Sequence, residues 1–140
     1  MQEQENTRVV REGYQAFQRG DLVALLASYA DDIVWQAAYG AGAHVPTSGR
    51  RVGKEAVAGF FQQLAKHITF SRFDVNELVA TGDKVIGLGH YSGTTSLQRP
   101  IDMDFAMVFT LKDGKVTEFK EFSDSAALNA AYSIETVAGV

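Results

Sequence analysis

One carboxylate sits where an apolar residue is expected. The stretch from Asp104 to Leu111 alternates as a half-buried strand does, with Phe105, Met107, Phe109 and Leu111 on one face. Lys112-Asp113-Gly114 is the turn after it, and a second arm runs from Lys115 to Ser123. A three-residue loop with a left-handed Gly114 and a bulge would pair Leu111 with Lys115. That register gathers Thr117, Phe119, Glu121 and Ser123 with the apolar face and sends Glu118 and Lys120 to the other. A two-residue loop would bring Glu118 and Lys120 to the apolar face instead, so the pattern selects three residues. Glu121 is then a carboxylate on an apolar surface, where burial raises its pKa toward the range useful for moving protons.

Other ionisable groups give weaker chemistry. The three histidines, His44, His67 and His90, show no His-x-x-x-His or His-x-His spacing, which argues against a metal site. His67 suits a helix C-terminus, and Asp31-Asp32 reads as a helix end rather than a carboxylate dyad. Asp102 and Asp104 alternate away from the apolar face. Gly40-Ala-Gly42 and Gly87-Leu-Gly89 lack the strand-to-helix context of a phosphate loop, and no cofactor is implied.

The elements that must position Glu121 follow from periodicity. Residues 4–19 form an amphipathic helix with Val10, Tyr14 and Phe17 on one side, stopped at Gly20. Asp21 caps a second helix over about 22–30, with Leu22, Leu25, Leu26 and Tyr29 inward. A short strand spans 33–39, with Trp35, Ala37 and Tyr39 sharing a face. Gly40 to Gly53 is a loop, a candidate lid or pocket rim. A third helix covers Lys54 to about His67. Strands follow at about 69–80, 84–95, 101–111 and 115–123, then a last helix from Ser125 to about Tyr132. Residues 133–140 read as a frayed tail. Helices segregated from an antiparallel meander give an α+β fold, with helices stacked on one face of a curved sheet.

Composition sets further bounds. The 140 residues suit a single domain, with a core over about 5–132. No cysteine is present, which agrees with a cytoplasmic setting, and the first residues lack the apolar run of a secretory signal. A net charge of −4 with no Lys/Arg cluster argues against nucleic acid, and no stretch is long enough to span a membrane.

The motifs Ala16-Phe17-x-x-Gly20-Asp21-Leu22, Tyr29-Ala-Asp-Asp-x-x-Trp35, Gly53-Lys-Glu-Ala-Val57-x-x-Phe60-Phe61 and Gly82-Asp83-Lys84-Val85 resemble the nuclear transport factor 2-like superfamily. The Asp104–Lys115 hairpin and Asp124-Ser-Ala-Ala-Leu128 extend the resemblance over roughly residues 5–132. The nearest branch is the SnoaL-like one, named for polyketide cyclases, and ketosteroid isomerase is a relative. The resemblance implies a cone-shaped fold with an apolar pocket between sheet and helices, and often a homodimer through the sheet's outer face. That face would carry Ala106, Val108, Val116 and Phe122. The isomerase's catalytic positions fall on Gly13, Ala37 and Met107, so its catalytic residues are absent.

The same alignment turns Ile86, Leu88, His90 and Ser92 toward the cavity, bringing His90 near Glu121 as an acid/base pair. It implies a wall of Tyr14, Phe17, Trp35, Tyr39, Phe61, Leu88, Phe105, Met107 and Phe119. The ligand would be a small, mostly apolar molecule, aromatic or polycyclic, bound with or without turnover. Turnover would be cyclisation, isomerisation or dehydration by His90 and Glu121. A third reading is a dimeric interaction module whose pocket is filled by its own side chains.

Overall fold

A computed structural model describes residues 2–134. Most of the expected tail lies outside the described residues. Helix α1 (Gln2–Gln18) ends at Gly20, whose φ of 75° is left-handed as a helix stop requires. Asp21 then caps α2 (Leu22–Ala27), its carboxylate accepting from the Ala24 amide at 3.0 Å. Helix α3 (Lys54–His67) turns Val57 and Phe60 into the core. Helix α4 (Ser125–Ala131) is capped by Asp124 in the same way as α2.

Six strands make one sheet: β1 (Tyr29–Gln36), β2 (Arg50–Val52), β3 (Ile68–Thr81), β4 (Lys84–Thr95), β5 (Pro100–Lys112) and β6 (Lys115–Phe122). Their order is β2-β1-β6-β5-β4-β3, antiparallel throughout except for the parallel β1–β6 pair. The helices cover the inner face. This is the α+β architecture that the sequence implied.

Several local expectations are corrected. The second helix stops at Ala27, because the Ser28 hydroxyl and amide both close onto the Leu25 carbonyl. Tyr29 pairs with Val116 as the first residue of β1, and Asp31-Asp32 lie inside that strand rather than at a helix end. They sit in an irregular stretch of pairing between Tyr29 and Val34, which leaves both exposed while Tyr29, Ile33 and Trp35 stay buried. The segment from Gly40 to Gly53 contains β2, which pairs with β1. The rest of it is tied down: Val45 is buried, the Gly42 amide donates to Asn129 Oδ1 at 2.7 Å, and Arg51 donates to the carbonyls of Pro46, Thr47 and Ser48.

The central hairpin reaches the expected faces by another route. Its loop is the two-residue Asp113-Gly114, with φ of 50° and 77°, the doubly left-handed pattern of a type I′ turn. Alone, that turn would put Glu118 inside. Pairing shifts by one between Leu111–Val116 and Thr110–Glu118, leaving Thr117 as an extra residue. Beyond this bulge Phe109 faces Phe119 and Met107 faces Glu121. Val116, placed on the outer face by the three-residue reading, is instead buried beside Leu111.

Strand β4 is turned over relative to expectation. Val85, Gly87, Gly89 and Tyr91 face inward, and Ile86, Leu88, His90 and Ser92 face outward. Directly opposed residues share a face, and Gly89 lies opposite Phe105 while Gly87 lies opposite Met107.

Candidate functional site

A cavity of about 80 Å³ lies between α1, α3 and the inner face of the sheet. Met107, Phe109, Phe119 and Glu121 line it from β5 and β6, Tyr91 from β4, and Tyr29 and Trp35 from β1. Tyr14 and Phe17 of α1 and Phe60 and Phe61 of α3 close it from the helix side. Phe17, Phe61, Leu64, Phe70 and Phe73 also line it and are only half-buried. The volume is about half of the ~150 Å³ apolar cavity that takes benzene, so a polycyclic guest exceeds the space present.

Aromatic packing fixes the walls. Trp35 stacks on Phe119 at 3.8 Å between centroids and 18° between planes, and Phe119 meets Phe109 edge-on at 5.1 Å. Tyr14 lies over Gly87, where a side chain would collide with its hydroxyl, and donates to Met107 Sδ at 3.2 Å. Phe105 stacks on Tyr91 at 5.6 Å and on Phe73 at 5.3 Å, supporting the wall from behind.

Among the described residues Glu121 is the one carboxylate on this surface, and it is 6% exposed. Its Oε1 accepts from the Ala38 amide at 2.9 Å, and its Oε2 accepts from the Tyr91 hydroxyl at 3.2 Å. The Tyr39 amide donates to the Glu121 carbonyl at 3.0 Å, so the end of β1 folds around this residue. Ala38 has a φ of 49°, uncommon for a residue with a side chain, and that bend aims its amide at the carboxylate. Burial raises the Glu121 pKa, and the two hydrogen bonds pull it back in part. The resulting group can hold a proton at a pH where an ordinary glutamate cannot.

The bend at Ala38 also corrects one wall residue. It breaks the alternation after Ala37, so Tyr39 points outward, half exposed, against Phe122 and Lys120. Leu88 is outside as well. The expected pairing of His90 with Glu121 is overturned: the two lie on opposite faces of the sheet, because the β4–β5 register opposes His90 to Asp104. His90 Nδ1 is 2.8 Å from Asp104 Oδ1 and its Nε2 is 2.5 Å from Asp102 Oδ1. These carboxylates, Asp104 first, raise the imidazole pKa, while Ser92 and His90 lower that of Asp102. Tyr91, one residue along, is the β4 side chain that reaches Glu121. The reading from sequence missed Tyr91 and Tyr29. The cross-strand rule would have found Tyr91 once the short turn between β4 and β5 was used to set their register.

Gly13, Ala37 and Met107, where the isomerase residues would fall, all line the cavity and bring it no ionisable group. Among the described residues no cluster of three or more His, Cys, Asp or Glu could hold a metal, and no helix is long and apolar enough to cross a membrane.

A family model described as a SnoaL-like domain matches residues 10–119. The chain belongs to this SnoaL-like family. Solved structures agree with the assignment. An NTF2-like protein from Burkholderia xenovorans LB400 is 30% identical to this SnoaL-like chain, with a TM-score of 0.85 over 95% of this chain and 99% of that one. An NTF2-like protein of unknown function from Burkholderia pseudomallei K96243 is 26% identical, with a TM-score of 0.81 over 92% and 98%. TerC, co-crystallised with polyporic acid, is 22% identical, with a TM-score of 0.80 over 91% and 98%; that likeness shows the fold. No curated protein matches the chain.

Proposed function

We propose that this SnoaL-like protein binds a small, mostly apolar molecule in the cavity and that Glu121 exchanges a proton with it. The observation that supports this is the placement of Glu121: one buried carboxyl, with its pKa raised, on a wall built mostly of aromatic and aliphatic side chains, with Ser28 and Thr47 among them. A structural carboxylate is more cheaply kept at the surface, and burying one in apolar surroundings opposes folding. The carboxyl can take a proton from one ligand atom and return it to another, which needs no co-reactant and suits an isomerisation or a cyclisation. Tyr91 and the Ala38 amide position it by holding both oxygens. His90 has no part in this chemistry.

The test uses cyclopentanone as a probe in deuterated buffer. The protein should accelerate exchange of the protons next to the carbonyl, read by NMR. Trp35 is the one tryptophan in the chain, so its emission should change saturably with the same probe. A saturable Trp35 response without accelerated exchange would reduce the function to binding. Absence of both responses would overturn the proposal.

We also infer pairing with a second copy through the outer face of the sheet. Two cross-strand rows there are mostly apolar: Val79, Ile86 and Val108, ending at Lys120, and beside them Leu88, Ala106 and Phe122, beginning at Glu77. Phe122 is 43% exposed and Val79 40% exposed, and a continuous apolar strip of this kind marks an interface. Sedimentation equilibrium at micromolar concentration should give a dimer; a monomer would refute the pairing.

A further inference from the structure

We propose that a second copy docks with its strands antiparallel to the first, so that the acidic end of each outer sheet face covers the basic end of the other. This rests on the pairing inferred above and fixes its two-fold axis. Strand β5 turns Asp102, Asp104, Ala106, Val108, Thr110 and Lys112 outward in succession. Its neighbours extend each position into a cross-strand row. Asp104 lies in line with His90 and Asp74, and Asp102 with Ser92 and Arg72. At the far end Thr110 lies in line with Lys84 and Glu118, and Lys112 with Lys115. Charge is therefore segregated along the strands: carboxylates gather at one end, lysines at the other, and the two mostly apolar rows lie between.

The acidic end is held in place by its own hydrogen bonds. His90 stands between the two aspartates, Nδ1 2.8 Å from Asp104 Oδ1 and Nε2 2.5 Å from Asp102 Oδ1. The Ser92 hydroxyl donates to the same Asp102 oxygen at 2.5 Å. Both aspartate side chains nonetheless stay open to solvent, Asp102 73% and Asp104 92% exposed. Arg72 offsets part of this charge and is itself paired with Asp74. Glu118 offsets part of the lysine charge at the other end.

A face-to-face pair can take its two-fold axis along the strands or along the rows. An axis along the strands lays each row on its own copy, so Asp102 and Asp104 meet their equivalents. Like charges facing each other across an interface are strongly disfavoured. An axis along the rows reverses their order. With the Val108 row laid on the Ala106 row, apolar meets apolar, and Lys112 faces Asp102 of the second copy. Thr110 then faces Asp104, and Lys84 beside it lies next to that carboxylate, which leans toward β4 through its bond to His90. Aligned sheets pack about 10 Å apart, a gap that a lysine and an aspartate reaching toward each other can close.

The chain has no cysteine, so single cysteines report the axis without background. Lys112→Cys and Asp102→Cys are mixed, allowed to exchange subunits, and treated with a bismaleimide spanning about 10 Å, the sheet spacing. Mass spectrometry should show the mixed pair as the main linked species, and neither variant alone should link to itself. In sedimentation equilibrium at low salt, Asp102→Lys should weaken the dimer by about tenfold, and adding Lys112→Glu to the same chain should restore it. Linking of either variant with itself, or no linking in a dimeric protein, would overturn the axis while leaving the pairing intact. A dimer unchanged by Asp102→Lys, or not restored by Lys112→Glu, would do the same. A monomeric wild type would overturn both.

Discussion

Glu121→Gln should abolish proton exchange on cyclopentanone and at the same time make the protein more stable at alkaline pH. Glutamine keeps the shape and can still accept from the Ala38 amide and hydrogen-bond the Tyr91 hydroxyl, but it cannot carry a proton to or from a ligand. Loss of a positioned general base costs typically about 10²–10⁴-fold in rate. Stability moves the other way. Burial holds the Glu121 pKa above its ordinary value of 4.5, so the folded state keeps a proton that the unfolded state releases. Wild-type stability should therefore fall as pH rises from about 4.5 toward the folded pKa, by at most ~1.4 kcal/mol per pH unit. The glutamine variant has no such group. Urea denaturation at a series of pH values should show wild type and variant alike at pH 4 and diverging above it, with the variant ahead. Parallel curves would mean that the carboxyl is solvated and the proton-transfer role has no basis. The His90 titration should be the same in both proteins, because the sheet separates the two groups and Asp104 and Asp102 set the imidazole.

Gly89→Ala should prevent folding. A Cβ there would lie 2.0 Å from the Asp74 carbonyl oxygen and 2.5 Å from the Phe105 ring. The first obstacle is backbone of the adjacent strand, which cannot swing aside as a side chain can. Accommodating the methyl means parting β3 from β4 or displacing the stack of Phe105, Tyr91 and Phe73. Ordinary overpacking costs about 1–3 kcal/mol, and a clash with fixed backbone should exceed that. Gly87→Ala makes a useful contrast, because its nearest obstacle is the Tyr14 hydroxyl at 2.4 Å. Tyr14→Phe should partly rescue Gly87→Ala and do nothing for Gly89→Ala. Circular dichroism and thermal melts of the four variants decide this. A folded Gly89→Ala with wild-type melting would show that the strands give more easily than the contacts imply.

These two glycines also explain why part of the site was illegible in sequence. Helices α1 and α3 and the long strands β3, β4 and β5 announce themselves through uninterrupted periodicity and through turn residues, and their spans agree with the structure. The faces of β5, and of β6 beyond Thr117, were legible too, since Phe105, Met107, Phe109 and Phe119 leave one choice. Strand β4 was read inside out. Its inner face carries glycine at 87 and 89, because rings from α1 and β5 press against the bare backbone, and its outer face carries Ile86 and Leu88. An apolar-inward rule applied to that pattern selects the wrong side. Tyr39 was lost for a different reason. Ala38 adopts a positive φ to wrap its amide around Glu121, and nothing about alanine signals that bend.

The central hairpin behaves like a message with two frameshifts that cancel. The two-residue turn at Asp113-Gly114 puts β6 out of phase by one residue, and Thr117 restores the phase before Phe119 and Glu121 are reached. What the fold constrains is the pairing beyond the bulge, Phe109 with Phe119 and Met107 with Glu121, not the device that reaches it. A deletion at Thr117 would close the bulge and keep that pairing, because Val116 would then run directly into Glu118 on a regular ladder. A deletion at Lys120 would instead put Phe119 and Glu121 on opposite faces. Substitutions at these positions are point errors; a change in length inside the paired strand, where no bulge absorbs it, is an error in reading frame that parts side chains which shared a face.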